Sequence, residues 1–569
     1  MPHHRLPGFC AFGLALLLAG WNVSSGLRAA PKADSLVAIL AEELERNFTV
    51  LKEKADPPPY FLSYEVSDNE AAAVSAASGA LTAASRNRTR NLDVSVRVGT
   101  RKLDNYHRAG GELVDFTAGS PISLDDEPAA IKRRLWLDTD RTYRLAAERL
   151  VKIRTNSQVK VDEEDNSADF SEEVPVQASE PLPSLRFDMP KWSARLRNLS
   201  TRFGGHTDIL SSQVTVVAQT DSSFLVTSEG TRVQQGRGYA RIVINATGRA
   251  ADGMDLHTSA TFEAVTADGL PDDRTIEEAI DRVAKDLTGL LKAPVVEPFV
   301  GPAILSGRAA GVFFHEIFGH RIEGHRQKDE NEGQTFTKKV GEPVLPSFLS
   351  VIFDPTQRKA GSIDLFGWYS FDEEGVSARR VPVVEEGILR TFLLSRSPIR
   401  GFDHSNGHGR RQVGREVVSR QSNLFVQSAR RVPEAKLRQI LIEEVKRQGK
   451  PYGLYFDQVT GGFTTTGRGG MQAFKVLPVV VYRIYPDGRP DELVRGADIV
   501  GTPLASFAKI MATSDQEAVF NGYCGAESGS VPVSAISPAL LVSEIEVEKT
   551  QKSQERPPLL PPPSAGGSR

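Results

Sequence analysis

The sequence predicts an α+β protein, with an N-terminal α/β domain of mixed strands and helices and a strand-rich, antiparallel C-terminal domain. In the first half, apolar residues recur at helical spacing in some segments and alternate with polar residues in others. Beyond Pro302, glycine-rich turns separate short strand-like runs, and five of the ten histidines lie there. The metal-binding candidates therefore belong to the C-terminal domain.

Length and composition set the number of domains. The chain has 569 residues, too many for one compact core, so two domains with additional terminal segments are expected. We place the N-terminal domain at 31–295, the C-terminal domain at 296–549 and a disordered, proline-rich tail at 550–569. The 69 basic and 72 acidic residues nearly balance, and no basic tract stands out, which argues against nucleic-acid binding.

The first thirty residues have the layout of a secretory signal peptide, predicted over 1–30. Arg5 precedes an apolar stretch from Phe9 to Trp21, and small and polar residues follow it. An uncleaved anchor is the alternative, but the stretch is shorter than the roughly 20 residues that span a bilayer. The expected location is therefore outside the cytoplasm, in the bacterial periplasm, with no membrane span left after cleavage near residues 25–30.

The remaining elements follow in order along the chain. Apolar spacing predicts a helix over 35–52 that prolines end, and alternation predicts strands at 60–66 and 92–98. The acidic stretch 161–183 is expected to be a solvated loop. A second strand-rich stretch at 213–262 and a helix over 275–291 lead to the domain boundary near Pro294, and another helix is predicted over 433–448.

A His-Glu pair with a second histidine provides the strongest chemical signal. His315, Glu316 and His320 combine two imidazoles and a carboxylate, the groups that a catalytic zinc site uses. The histidines are five positions apart, which places them about 140° apart on an ideal helix. Gly319 permits a bulge or break before His320, so we expect a distorted or ended helix. Unrelated histidines on a polar helix surface remain the alternative.

Cysteine content leaves a single thiol in the mature chain. Of the two cysteines, Cys10 falls in the predicted signal and Cys524 lies near the C-terminus, so no internal disulfide is possible after cleavage. Such a thiol is either inert in the core or bound to a metal. Position in the chain does not decide between these, although Gly522 and Gly525 favour a tight turn there.

Several motifs in the second half resemble the TldD/PmbA metallopeptidases. The segment from His315 to Gly324 resembles the HExxxH signature of that family. Further similar segments follow in the expected order: Asp372-Glu373-Glu374-Gly375-Val376, Glu386-Gly387-Ile388-Leu389, Asn406-Gly407-His408-Gly409-Arg410-Arg411, Gln421-Ser422-Asn423-Leu424, Gly461-Gly462-Phe463, Val494-Arg495-Gly496 and Tyr523-Cys524-Gly525. The resemblance covers about residues 300–548 and is much more specific than the histidine pair alone.

The resemblance implies a zinc peptidase acting on unfolded polypeptides or small peptides. The ligands carried over are His315, His320 and Cys524, with Glu316 as the general base. It also implies a dimer, either of identical chains or with a related subunit. Two rival functions remain: a non-catalytic partner subunit, against which the complete set of four residues argues, and a structural zinc protein, which would normally use four protein ligands.

Three further residues are candidates near the predicted centre. Glu323 could orient a ligating histidine through a hydrogen bond, or be a surface carboxylate. His325 stands where family members often carry an acidic residue. It could support a ligand through a hydrogen bond, compete as a ligand, or be merely exposed, and we expect it to be exposed. His408 lies in a glycine-rich loop and could contact substrate, although such histidines are more often solvent-exposed.

Overall fold

A computed structural model describes residues 33–108, 114–157, 165–468 and 474–551, together with Arg556, Pro558 and Leu560. Helices and strands are both abundant, as expected for an α+β protein. The predicted signal peptide at 1–30 lies outside the described residues, as does most of the predicted tail at 550–569. No described helix is both long enough and apolar enough to cross a membrane.

The first half of the chain builds a seven-stranded sheet with helices packed against it. The elements are α1 (Ala33–Lys54), β1 (Pro59–Ala77), β2 (Ala80–Val98), β3 (Ser120–Pro121), α2 (Pro128–Ser157), β4 (Gln177–Ser179), α3 (Met189–Ser200), β5 (Ser211–Thr227), β6 (Arg232–Arg249), β7 (Asp255–Ala264) and α4 (Asp273–Lys292). In space the strands run β3-β2-β1-β5-β6-β4, and β7 pairs with β6.

Helix α4 shows how the sequence specifies these elements. Asp272 caps its N-terminus by accepting a hydrogen bond from the Thr275 backbone N–H. Its buried face recurs at helical spacing through Ile276, Ile280 and Leu287 and packs on the sheet. The predicted helices over 35–52 and 275–291 therefore correspond to α1 and α4.

The acidic stretch was expected to be a solvated loop, and this is wrong for part of it. Asp169, Phe170 and Ser171 are buried. The guanidinium of Arg396 lies 3.9 Å from the centre of the Phe170 ring, so this segment packs between the two halves of the chain. Residues 158–164 lie outside the described part of the chain.

The second half builds a twelve-stranded sheet. Its elements, with those of two smaller hairpins, are β8 (Phe299–Leu305), α5 (Gly307–Ile317), α6 (His325–Lys328), β9 (Leu349–Phe353), β10 (Lys359–Ala360), β11 (Ile363–Asp364), β12 (Val381–Glu385), β13 (Ile388–Leu389), β14 (Gly409–Arg410), β15 (Val418–Ser419), β16 (Asn423–Ser428), β17 (Arg431–Val432), α7 (Glu434–Arg447), β18 (Gly453–Thr464), β19 (Phe474–Ile484), β20 (Glu492–Val494), β21 (Ala497–Gly501), α8 (Pro503–Phe507), β22 (Ile510–Ala526) and β23 (Gly529–Lys549). The helix predicted over 433–448 corresponds to α7.

This second sheet is mixed rather than purely antiparallel. Strand pairs β16–β23, β17–β22 and β8–β18 are parallel. Because β8 pairs with both β18 and β23, five strands close on themselves in the order β23-β21-β19-β18-β8. Helix α5 packs against β18, β22 and β23, and its Phe313 and Phe314 belong to the main apolar core.

Buried ion pairs join the two halves of the chain. Arg396 lies 2.7 Å from Glu229, and Arg411 lies 2.5 Å from Glu65. Arg411 thereby reaches Glu65 of β1, and Arg396 reaches Glu229 in the turn between β5 and β6. These ion pairs hold the two halves of the chain together.

Candidate metal centre

The two histidines lie on either side of a helix end. Ser306 caps α5, which ends at Ile317, and a turn of 3₁₀ helix follows over Gly319–Ile322. His315 occupies the last turn of α5 and His320 the 3₁₀ turn. The change of helix type brings the two ring centres within 5.1 Å of each other, so the predicted interruption of the helix is confirmed.

Gly319 is required for space and not for its backbone freedom. It is not among the described residues with positive φ. A Cβ at this position would overlap the side-chain amide of Gln421. That amide donates a hydrogen bond to the backbone carbonyl of His315, at 3.2 Å. Gln421 therefore satisfies a carbonyl at the end of α5 that would otherwise lose its helical partner.

Cys524 completes a cluster of three possible metal ligands. It lies in β22, opposite Val531 of β23, and its Sγ is 3.4 Å from His320 Nε2. One donor atom from each of His315, His320 and Cys524 lies within 4.8 Å of the others. All three residues are buried, with Cys524 only 3% exposed. The expectation of a tight turn around Gly522 and Gly525 is wrong, because both belong to the regular strand.

Glu316 points toward the same cluster from the end of α5. Its Oε2 is 3.9 Å from His320 Nε2. Gly462 of β18 makes room for it, since a Cβ there would lie 2.7 Å from Glu316 Cγ. Burial raises the pKa of the Glu316 carboxyl above its usual value, and nearby imidazoles oppose the shift. The Glu316 carboxyl therefore lies beside the candidate ligands and holds its proton more tightly than an exposed glutamate.

A cavity of about 330 Å³ adjoins the cluster. His315, Glu316, His320 and Cys524 all line it. Phe463 and Tyr523, which are 54% and 45% exposed, lie at its wall. The candidate ligands therefore face a space that a substrate could enter, whereas a structural zinc site is normally closed by protein.

The donor set fits zinc. Two imidazole nitrogens and one thiolate sulfur are ligands that zinc prefers, and three protein ligands with one open position are typical of catalytic sites. Burial by itself would raise the pKa of the Cys524 thiol. His320, His315 and Arg420 outweigh that effect and hold the pKa well below its ordinary value. The sulfur is therefore prepared to bind a cation as a thiolate.

Residues 300–549 match the family model of the PmbA/TldA metallopeptidase C-terminal domain. The second half of the chain belongs to the TldD/PmbA family. The matched range holds every candidate ligand and the candidate base. It begins at the strand that precedes α5 and ends with the last strand of the second sheet.

Two curated relatives of the chain carry the name metalloprotease. One, from Methanocaldococcus jannaschii, is 31% identical over 245 residues, covering 43% of this chain and 50% of the relative. Another, from Methanothermobacter thermautotrophicus, is 26% identical over 450 residues, covering 77% of this chain and 91% of the relative. The alignment thus spans about half the length of the first relative and most of the second.

A solved structure extends the likeness to most of the chain. TldE from Thermococcus kodakarensis superposes with a TM-score of 0.57, covering 90% of this chain and 99% of that chain. The sequence identity is 14%, so the similarity shows the fold alone.

Glu323 is buried beside His320, so the alternative of a surface carboxylate is excluded. Its Oε2 lies 3.3 Å from His320 Nδ1 and accepts a hydrogen bond from Arg326 Nε at 2.9 Å. Burial opposes ionisation of Glu323, but His320 and Arg326 lower its pKa to about 2. Glu323 can therefore fix the tautomer and orientation of the His320 ring.

Two histidines differ from their expected surroundings. His325 is buried and bonds through Nε2 to Glu527, so the expectation of an exposed ring is wrong. His408 is fully buried, with Nε2 3.1 Å from Ser422 Oγ, and it does not line the cavity. A role for His408 in substrate contact is therefore not supported. Burial lowers its pKa to about 3, which keeps the ring neutral.

Sequence reasoning missed several residues that surround the candidate ligands. Arg420 contacts Cys524, Gln421 contacts the end of α5, and Glu527 joins His325 to Arg326. Gln421 belongs to a segment singled out by resemblance, but nothing in that segment indicated its contact. Arg420 directly precedes it, and only its position next to that motif could have drawn attention to it.

Proposed function

We propose that this TldD/PmbA protein is a zinc-dependent peptidase that hydrolyses unfolded polypeptides or small peptides. The observation that carries the proposal is the buried cluster of His315, His320 and Cys524, with Glu316 beside it, at the wall of an open cavity. The names of the two metalloprotease relatives support the same reaction class.

The chain's own residues supply the ligands and the proton transfer. His315, His320 and Cys524 would hold the ion, which when bound supplies Lewis-acid polarisation of the scissile carbonyl and the attacking water. Glu316 accepts the proton of the attacking water on its carboxylate and returns it to the leaving amine. Burial raises the pKa of this carboxyl, which makes it a stronger proton acceptor than an exposed glutamate.

An extended substrate fits the strand beside the centre. Among the described residues, β18 pairs with β8 only through Leu454–Phe456, whereas its pairing with β19 continues to Thr464. The later part of β18 therefore keeps one edge without a strand partner, and Gly462 on that part adjoins Glu316. Backbone groups on such an edge can pair with any extended peptide, which favours unfolded segments over folded proteins.

The decisive experiment compares metal content and turnover in one preparation. We expect about one zinc per chain and cleavage of a mixed peptide library that a chelator abolishes and zinc restores. Glu316→Gln should retain zinc and lose at least about 100-fold in turnover, because the base is gone and the ligands remain. Glu385→Gln, at an exposed position on β12, is the matched control. Turnover by Glu316→Gln at the control rate would refute the proposal.

We also propose a compartment and an assembly. The proposed compartment is the bacterial periplasm, supported by the signal-like N-terminus, and the proposed assembly is a dimer of identical chains or with a related subunit. N-terminal sequencing of the mature protein tests the first part, with a new terminus near residues 25–30 expected. Mass measurement of the purified protein in solution tests the second, and a monomer with full activity would contradict it.

A further inference from the structure

Four side chains form a closed ring of contacts at the candidate centre. His320 Nε2 lies 3.4 Å from Cys524 Sγ, and Arg420 Nη2 donates to the same sulfur at 3.2 Å. Arg420 Nε lies 3.4 Å from Glu323 Oε1, and Glu323 Oε2 lies 3.3 Å from His320 Nδ1. The ring joins two candidate ligands from distant parts of the sequence through a carboxylate and a guanidinium.

Arg420 is held firmly in place by neighbours that are not ligands. Its Nη1 donates to Ser528 Oγ at 2.7 Å and to the Gly529 carbonyl at 3.0 Å, and its Nη2 also donates to the Cys524 carbonyl at 2.6 Å. The guanidinium therefore hydrogen-bonds to both the side chain and the backbone of Cys524, and also to Ser528 in the turn that joins β22 to β23. A planar group with five donors can make these bonds together, which a lysine ammonium cannot.

The location of Arg420 excludes a direct role in substrate binding. The side chain is fully buried and does not line the cavity. Burying a guanidinium is costly unless anionic groups and hydrogen-bond acceptors surround it. The Cys524 sulfur and three oxygens of the β22–β23 hairpin accept hydrogen bonds from this arginine. The Glu323 carboxylate lies close enough to its Nε for an ion pair. The contacts of Arg420 therefore fix the positions of the Cys524 sulfur and the Glu323 carboxylate.

We propose that Arg420 is a positioning residue that holds the Cys524 sulfur at the distance from His320 that metal binding needs, with Glu323 as the brace between Arg420 and His320. The inference rests on the proposed function only through the metal centre, and it is independent of peptide cleavage. A guanidinium that merely fills a buried site would leave metal binding unchanged when replaced by a residue of similar size.

The test measures metal affinity and the sulfur–metal bond directly. Zinc dissociation constants are obtained by competition with a chelator, and the cobalt-substituted protein reports the sulfur ligand through its sulfur-to-cobalt charge-transfer band. Arg420→Met should weaken zinc binding about 10–100-fold, the range for loss of a group that orients a ligand, and should weaken or shift the band. Arg420→Lys should recover part of both, since an ammonium can keep one of the bonds.

Two further variants control for folding. Arg410 is an equally buried arginine that donates to the Gln421 and Pro532 carbonyls and contacts no candidate ligand, so Arg410→Met should leave affinity and band unchanged. Ser528→Ala removes one anchor of Arg420 without touching a ligand. Ser528→Ala should weaken zinc binding by a smaller factor than Arg420→Met. It tests the role of Arg420 if Arg420→Met does not fold. Circular dichroism of each metal-free variant establishes that it is folded.

The outcomes separate this inference from the proposed function. The positioning role is overturned if folded Arg420→Met keeps wild-type zinc affinity and an unchanged cobalt band, whatever the peptidase assay shows. If Arg420→Met does not fold, the same result in Ser528→Ala overturns it. An equal loss in Arg410→Met would overturn it too, because the effect would then follow from any buried arginine. A wild-type protein that binds zinc through sulfur but cleaves nothing would sink the peptidase proposal and leave the role of Arg420 intact.

Discussion

Replacing Glu373 by glutamine should remove a pH-dependent loss of stability. Glu373 belongs to the acidic turn between β11 and β12, and its Oε2 has no hydrogen-bond partner among the described residues. Burial raises the pKa of this carboxyl to about 7 from its ordinary value of 4.5, although Arg410 acts against the shift. The folded protein therefore holds a proton there that the unfolded chain has already released.

The sign and size of the effect follow from that difference. Between pH of about 4.5 and 7 the folded state binds more protons at this site, so the free energy of unfolding falls as pH rises. The difference of about 2.5 pKa units corresponds to at most about 3 kcal/mol, and less to the extent that water reaches this half-buried residue. The contribution is fully present below pH of about 4.5 and is lost once the pH exceeds about 7.

Urea unfolding at pH 5 and pH 8 measures the effect. Wild type should lose up to about 3 kcal/mol more than Glu373→Gln between the two pH values, because glutamine keeps the shape and does not titrate. Glu385→Gln, at an exposed position, controls for the general change in surface charge. Parallel pH profiles for wild type and Glu373→Gln would refute the reasoning, since they would show that this carboxyl has the same pKa folded and unfolded.

Two other substitutions test the geometry of the centre. Gly462→Ala should lower turnover about 10–100-fold at unchanged zinc content, because the new Cβ displaces Glu316, and peptide kinetics with metal analysis measure this. Gly461→Ala is its control, since a Cβ there meets nothing within 4 Å, and an equal loss in both would contradict the explanation. Cys524→Ser should abolish the sulfur-to-cobalt band and weaken zinc binding, because a hydroxyl is a poorer ligand than a thiolate. A band that persists would show that another sulfur binds the ion.

Local sequence patterns predicted the helices well and the strands only in part. Helices α1, α4 and α7 follow from apolar spacing because each buries one stripe on a sheet. Strands β1 and β2 each run for 19 residues, far beyond the predicted segments. Residues 82–89 of β2 are exposed on both faces, so no alternation distinguishes them from a loop. Pairing along β1, which sequence alone does not reveal, keeps them extended.

Sequence patterns likewise predicted only part of the candidate site. His315, Glu316 and His320 lie within six consecutive residues, and the chemistry of the side chains together with Gly319 was enough to predict an interrupted helix. The surroundings of His325 could not be inferred, because Glu527 lies 202 positions away. A histidine among polar residues is expected to be exposed. Only folding brings the Glu527 carboxylate next to His325 in the interior.

The approach of Cys524 to the histidines depends on strand register, which explains why resemblance was needed to suggest it. In β22, Tyr523 and Gly525 are exposed and Cys524 between them is buried. A slip of one residue against β23 would turn the sulfur to the opposite face, since side chains alternate along a strand. Arg420 bonds both to Cys524 and to the turn after it. The contacts that position the sulfur therefore also favour the observed register of β22 against β23. A metal site that includes Cys524 depends on that register.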